Sequence, residues 1–353
     1  MPSASPSPAA GLCVAVLPPP SDAGYPRLVA DIGGTHARFG WLAAPGAPVA
    51  DVRKLVAAHF PGPAEAVRAY LDGLACPAGL PRPAPRHAAI AVATAVDGDE
   101  VRFTNNSAWG FSRQALQADL GLDSLLLLND FEALALSLPC LTPGQRRCVG
   151  AEAPRAAGTL AVVGPGTGLG VGAVVATRSG WVALPGEGGH ATLAPADDLE
   201  SALLARVRRQ HAHVSAERLL SGIGLPVLHQ ALGEVTGRTP AGLWTAEAIV
   251  AAGLAGGDAL ASETLDLFCA LLGGFAGNVA LTLGARSGVY IGGGIVPRLG
   301  ERFFQSAFRE RFEAKGRFRG YLQTIPTALI TDTEAALTGA ALAISQHLQA
   351  ERG

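Results

Sequence analysis

Leu160-Ala161-Val162-Val163-Gly164-Pro165-Gly166-Thr167-Gly168-Leu169-Gly170-Val171-Gly172-Ala173-Val174-Val175 reads as a strand, a tight glycine turn and a second strand. Leu28-Val29-Ala30-Asp31-Ile32-Gly33-Gly34-Thr35-His36-Ala37-Arg38-Phe39-Gly40-Trp41-Leu42 reads the same way in the other half of the chain. Two β-Gly-Thr-β units imply an internal duplication. Each turn offers backbone N–H groups that side chains do not obstruct, together with a threonine hydroxyl, and such turns can wrap phosphate oxygens. A single turn of this kind is an ordinary hairpin; the repeat carries the argument. Neither unit is a Walker A loop, which needs Gly-Lys-Ser/Thr, because no lysine is near either turn. Neither is a dinucleotide fingerprint, because strand-like residues follow the glycines where a helix should open.

Between the two units lies Leu125-Leu126-Leu127-Leu128-Asn129-Asp130-Phe131-Glu132-Ala133-Leu134. The leucines read as a short strand buried on both faces, and the apolar residues after Phe131 fall at helical spacing. Ligands of open parallel sheets bind at the C-terminal ends of strands, where Asn129 and Asp130 fall. A carboxylate there can take a proton from a substrate hydroxyl, or it can simply cap the helix that follows. The phosphate-type turns elsewhere favour the base.

The remaining chain alternates helices and strands. Helices are expected over Ala64–Leu74, from Ser112, over Asp198–Gln210, from His213 with Ser215 as N-cap, and from Thr333; strands over Ala88–Ala95, Gly288–Ile291 and Ala328–Thr331. Leu265–Ala285 approaches membrane-spanning length, but it carries Asp266 and Asn278 and reads as a buried helix. With 353 residues the chain can form two domains. A hydrophobic share of 49% and a net charge of −2 fit a soluble globular protein with no nucleic-acid footprint. Only Lys54 and Lys315 among the basic residues are lysines, which removes most lysine-dependent sites. The five cysteines are scattered without a CxxC pair, which fits a reducing compartment and offers no zinc spacing. The first 26 residues are rich in Pro, Ala and Ser, and their apolar run is too short for a secretory core, so a disordered tail is expected.

Together the motifs resemble the bacterial glucokinase family of the hexokinase type. Those that carry the resemblance are Asp31-Ile32-Gly33-Gly34-Thr35, Leu128-Asn129-Asp130-Phe131, Gly164 to Gly170, Leu184-Pro185-Gly186-Glu187-Gly188-Gly189-His190, His213-Val214-Ser215-Ala216-Glu217-Arg218 and Ile291-Gly292-Gly293-Gly294-Ile295-Val296-Pro297-Arg298. They occur in the family's order from Leu28 onward. The resemblance implies an α/β actin/hexokinase-like (ribonuclease H-like) fold with two domains around a cleft: a small domain over 27–138, completed by the C-terminal helix over 333–353, and a large one over 139–332. It implies transfer of a phosphoryl group from ATP to the 6-hydroxyl of glucose, with Asp130 as general base. Asn105, Asn129, Glu187, His190 and Glu217 would hold the sugar. ATP would meet Ala30, Asp31, Ile32, Gly33, Gly34 and Thr35, then Gly166, Thr167 and Gly168, and Gly292, Gly293 and Gly294. Asp31 would hold Mg²⁺, directly or through water, and no structural zinc is expected. His36 departs from the asparagine of the family pattern. The resemblance further implies a cytoplasmic homodimer that engages neither membrane nor nucleic acid. Another hexose or amino sugar, ADP or polyphosphate as donor, and a catalytically silent sugar sensor are the competing readings.

Overall fold

The computed structural model describes residues 24–75, 84–94, 96–103, 109–150, 153–238, 240 and 242–351. Most of the expected tail, most of the Pro77–Arg86 loop, Ala95 and the polar loop with Asn105 lie outside the described residues.

Both glycine turns join antiparallel strands. β1 (Arg27–Ile32) pairs with β2 (His36–Leu42), and β3 (Ala50–Val56) adds outside β2. On the other side of β1 come β4 (His87–Val92) and β7 (Ser124–Asn129), both parallel to it, giving the order β3-β2-β1-β4-β7. Between β4 and β7 the short strands β5 (Glu100–Arg102) and β6 (Gly110–Ser112) form a separate ribbon. The second sheet repeats the plan. β9 (Thr159–Pro165) pairs antiparallel with β10 (Leu169–Thr177), which carries β11 (Gly180–Leu184) on its outer side. Beyond β9 lie β12 (Gly288–Ile291) and β13 (Thr327–Ile330), both parallel, and then antiparallel β8 (Arg146–Val149).

Side chains of a strand alternate between faces, and here the alternation sorts residues into different cores. Leu28, Ala30 and Ile32 of β1, with Ala88, Ile90 and Val92 of β4, pack under helix Pro63–Asp72. Val29, Ala89 and Ala91 face the other way, toward Leu160 and Val162 of β9 and Tyr290 of β12 in a middle core. That middle core holds helices Asp130–Ser137 and Ala335–Ala350, so the two sheets share one packed layer. The helices cross at Gly339, where a Cβ would collide with the carbonyl of Ala133. Glycine permits that approach because it has no side chain. Arg27, almost fully buried, donates to Ser345 Oγ at 3.0 Å and fastens the start of β1 to the same C-terminal helix. The outer face of the second sheet packs on helices Asp198–Val207, Leu225–Val235 and Ala259–Leu283. The last is long and apolar enough to cross a membrane, yet most of it is buried in this core.

Each fully buried Leu, Val or Ile contributes about 1.5–3 kcal/mol, whereas an exposed pair such as Arg68–Asp119 contributes about 0–1 kcal/mol. The cores therefore hold the fold, and the surface ion pairs are secondary. One expected element is absent: His213–Gly222 is a chain of turns and not a helix. Its backbone bonds go outward, from Ala216 N–H to Ala191 O and from Glu217 N–H to Gly189 O, both at 2.9 Å, and Ser215 bridges to Thr192. A short turn forms within it, with Ser215 Oγ accepting from Arg218 N–H at 3.3 Å as an N-cap would and Leu220 N–H donating to Ala216 O at 2.8 Å, but the bonds across the site take the place of a longer helix.

Candidate active site

The parallel strands of the first sheet end side by side. Asp31 lies one residue before the end of β1; Ala93 and Thr94 follow β4, and Asn129 closes β7. Register puts Ile32 opposite Val92, and Val92 opposite Asn129. Asn129 is the N-cap of helix Asp130–Ser137: its Oδ1 accepts from Phe131 N–H at 2.9 Å, and its Nδ2 donates to Thr94 O at 3.1 Å. An amide has two donors and two acceptor sites, so one of each is left for a ligand. Asp130 Oδ1 also accepts from Phe131 N–H, at 2.9 Å.

These ends open on a cavity of about 1230 Å³ whose opposite wall is the second sheet. Asp31, Gly33, Gly34, Thr35, Asn129, Asp130, Gly166, Thr167, Gly168, Glu187, His190, Glu217, Gly293 and Gly294 all line it. Ala30, Ile32 and Gly292 do not. Strand alternation turns Ala30 and Ile32 into the first core, and Gly292 is buried against Leu134 and Val162.

Within the first turn Gly33 N–H donates to His36 O at 2.9 Å; within the second, Gly166 N–H donates to Gly168 O at 2.8 Å. The amides of Gly34, Thr35, Thr167 and Gly168 have no partner among the described residues. Exposed backbone donors of this kind suit an anion. Glu217 knits the second wall together. Its Oε2 accepts from Leu169 N–H at 2.8 Å and lies against Gly168, where a Cβ would collide with it. Gly189 packs on the Leu169 carbonyl and leaves no room for a side chain, and Gly222 N–H donates to Gly166 O at 2.7 Å. Three loops are thereby held in one wall.

Burial pushes the Asp130 carboxyl up to about 6, helped by the negative charge of Asp31 and, more weakly, of Glu187. Burial also raises Asp31, against the opposing Arg38 guanidinium, whose Nη1 lies 3.1 Å from Asp31 Oδ2. Desolvation and the charges of Lys54 and Arg38 lower His36, which lines the same wall. Two carboxylates with hindered ionisation, facing one space, form a donor set suited to a hard cation such as Mg²⁺, which takes one or two carboxylates and keeps water. Among the described residues no three His, Cys, Asp or Glu side chains converge.

Arg38 was not a sequence candidate, yet it stands opposite Asp31 across the hairpin. Counting outward from the turn would have found it. Thr245, Ala246 and Glu247 at the start of helix Ala246–Ala255, which no motif marks, complete the far rim with Arg298, which closes the last motif. Phe131 also lines the cavity, its ring lying on Gly164 and Gly170.

A family profile described as Glucokinase matches residues 28–347. A glucokinase of Chromobacterium violaceum is 51% identical over 324 residues, covering 92% of this chain and 90% of that one. The bifunctional protein glk of Paraburkholderia xenovorans is 46% identical over 329 residues, 93% of this chain but 50% of that one, so the chain spans about half the length of that relative. Among solved structures, glucokinase from an Antarctic psychrotroph superposes with a TM-score of 0.83 at 36% identity, covering 91% of this chain and 98% of that one.

Proposed function

We infer the residue-level chemistry of the cavity from one premise: the chain belongs to the glucokinase family. It has an α/β two-sheet sugar-kinase fold related to the ROK, hexokinase and actin superfamily. Its reaction is ATP-dependent phosphorylation of glucose to glucose 6-phosphate.

In our reading Asp130 is the general base. The carrying observation is that its hindered carboxylate, at the end of β7, faces a cavity whose other wall presents the second glycine turn. The 6-hydroxyl oxygen attacks the γ-phosphorus, its proton passes to Asp130, and the bond to the β-phosphate oxygen breaks to release ADP. A base titrating near 6 is largely ionised at neutral pH and still basic enough to accept a proton. Asn129, Glu187, His190 and Glu217 grip the other hydroxyls, and Asn105, outside the described residues, is assigned with them from the polar sequence around it, Phe103 to Trp109. Paired hydroxyls suit such carboxylates and amides. Thr35 and Thr167 mark the two turns whose spare amides, with Gly34 and Gly168, meet the phosphates; Gly293 and Gly294 stand near the nucleoside. Asp31, oriented by Arg38, would hold Mg²⁺, which neutralises phosphate charge when bound. Closure over the sugar excludes water as a rival acceptor.

The matching plans of the β1–β2 and β9–β10 hairpins support duplicated β-Gly-Thr-β units. They also support a small domain over 27–138, completed by the C-terminal helix, and a large one over 139–332. The family likeness is what supports our reading of a cytoplasmic homodimer.

Asp130→Ala tests the base. A coupled assay should show kcat lowered about 10²–10⁴-fold, with glucose still binding by calorimetry. In the wild type, kcat/KM should fall on the acid side through about pH 6. A near-normal kcat in the variant removes Asp130 from this role.

A further inference from the structure

Phe131 is an apolar ring in the wall of a polar site, one residue after the proposed base. The surface beneath it is unusual. β9 and β10 pair Gly164 with Gly170 in register, so at that point the hairpin has no side chains at all. A Cβ on Gly164 would come 2.5 Å from Phe131 Cζ, and one on Gly170 would overlap the ring. A Cβ on Gly172 would come 2.8 Å from Phe131 O. Ring and backbone of Phe131 therefore both rest on bare main chain. Main chain cannot swing aside as a side-chain tip can, so the contact is stiff.

We propose that Phe131 is a positioning residue: seated on Gly164, Gly170 and Gly172, it fixes the separation between the Asp130 carboxylate and the Gly166–Gly168 turn. The link to the base is short. Phe131 N–H donates to both Asn129 Oδ1 and Asp130 Oδ1, at 2.9 Å each, so a shift of Phe131 moves both groups. Behind it, Ala133 is held against the C-terminal helix at Gly339, and the base-bearing turn is clamped from two sides. Three glycines of the second motif thus serve as a seat, while Gly166 and Gly168 remain in the turn itself. The inference rests on Asp130 as the base, because only then does this separation set a rate.

The test is steady-state kinetics with pH profiles on Phe131→Ala, Gly170→Ala and their double variant, beside Asp130→Asn. A misplacement of about 1 Å costs about 10² in rate, so Phe131→Ala should lose about that in kcat while the KM for glucose changes less than about fivefold. The acid limb of kcat/KM should move downward, because removing the ring admits water beside a carboxyl that burial chiefly holds up. Gly170→Ala puts a methyl where the ring lies; activity should fall and partly return in the double variant, which vacates that space. A folded Phe131→Ala with kcat within about threefold of wild type and an unmoved limb overturns the proposal. If that variant does not fold, Gly170→Ala combined with Phe131→Leu decides, and strictly additive losses overturn it. Turnover retained in Asp130→Asn overturns the base reading and this inference with it. Turnover lost there but kept in Phe131→Ala overturns this inference alone.

Discussion

The two glycine hairpins are built alike and used differently. In β1–β2 the pair nearest the turn is Ile32 with Ala37, and the next is Asp31 with Arg38. In β9–β10 the nearest is Pro165 with Leu169, and the next is Gly164 with Gly170. The same place in the hairpin holds an ion pair in the first sheet and two bare glycines in the second. One hairpin brings charge to the cavity; the other lets an aromatic ring from helix Asp130–Ser137 come into contact with its main chain. Similar turns therefore need not do similar work, and the residues one pair back from the turn decide which work is done.

That contrast can be broken by experiment. The largest effect should come from the charged member: Asp31→Asn should lower kcat about 10²–10³-fold, the range for losing one preorganised electrostatic group. Activity within a few-fold of wild type, in the same coupled assay, would move the charge role elsewhere. The second effect concerns the carboxylate that Asp31 faces. Asp130 titrates higher in the fold than its ordinary 3.8, so the stability it contributes is present below about pH 4 and lost as pH rises through about 6. Asp130→Asn removes that penalty, worth about 3 kcal/mol, so calorimetry should give a higher Tm than wild type at pH 8 and little gain at pH 4. Equal gains at both values would mean that the charge is not the cause. The third effect separates the hairpins directly. Gly170→Ala overpacks the ring seat and should destabilise by about 1–3 kcal/mol in urea titration. The smallest effect belongs to Gly33→Ala, whose Cβ would meet only His36 O at 3.6 Å; its stability should stay within about 0.5 kcal/mol of wild type. Matching losses at Gly33 and Gly170 would erase the distinction.

Much of this was readable from the chain. Both hairpins, the β7 strand and the placement of Asn129 and Asp130 at its end follow from apolar runs, glycine turns and the strand-end rule. The inward turn of Ala30 and Ile32 was also readable, since Asp31 between them must face the other way. What could not be read depends on distant partners. Ser215 and Glu217 look like a helix start and do open a turn, but bonds with Thr192, Gly189 and Leu169 tie that turn to the wall in place of a full helix. The glycines at 164, 170 and 172 have no role legible in the sequence, because the ring that explains them comes from a helix more than thirty residues earlier. β7 proved an edge strand with Leu126 half-buried, where four leucines suggested burial on both faces.

The crossing at Gly339 carries a consequence for biosynthesis. The first sheet and the turn after β7 are translated well before helix Ala335–Ala350, which covers their inner face. A nascent chain must carry Val29, Ala89 and Ala91 without their final cover until that helix has been made. Competence to phosphorylate sugar therefore waits on a helix made after every residue that lines the cavity.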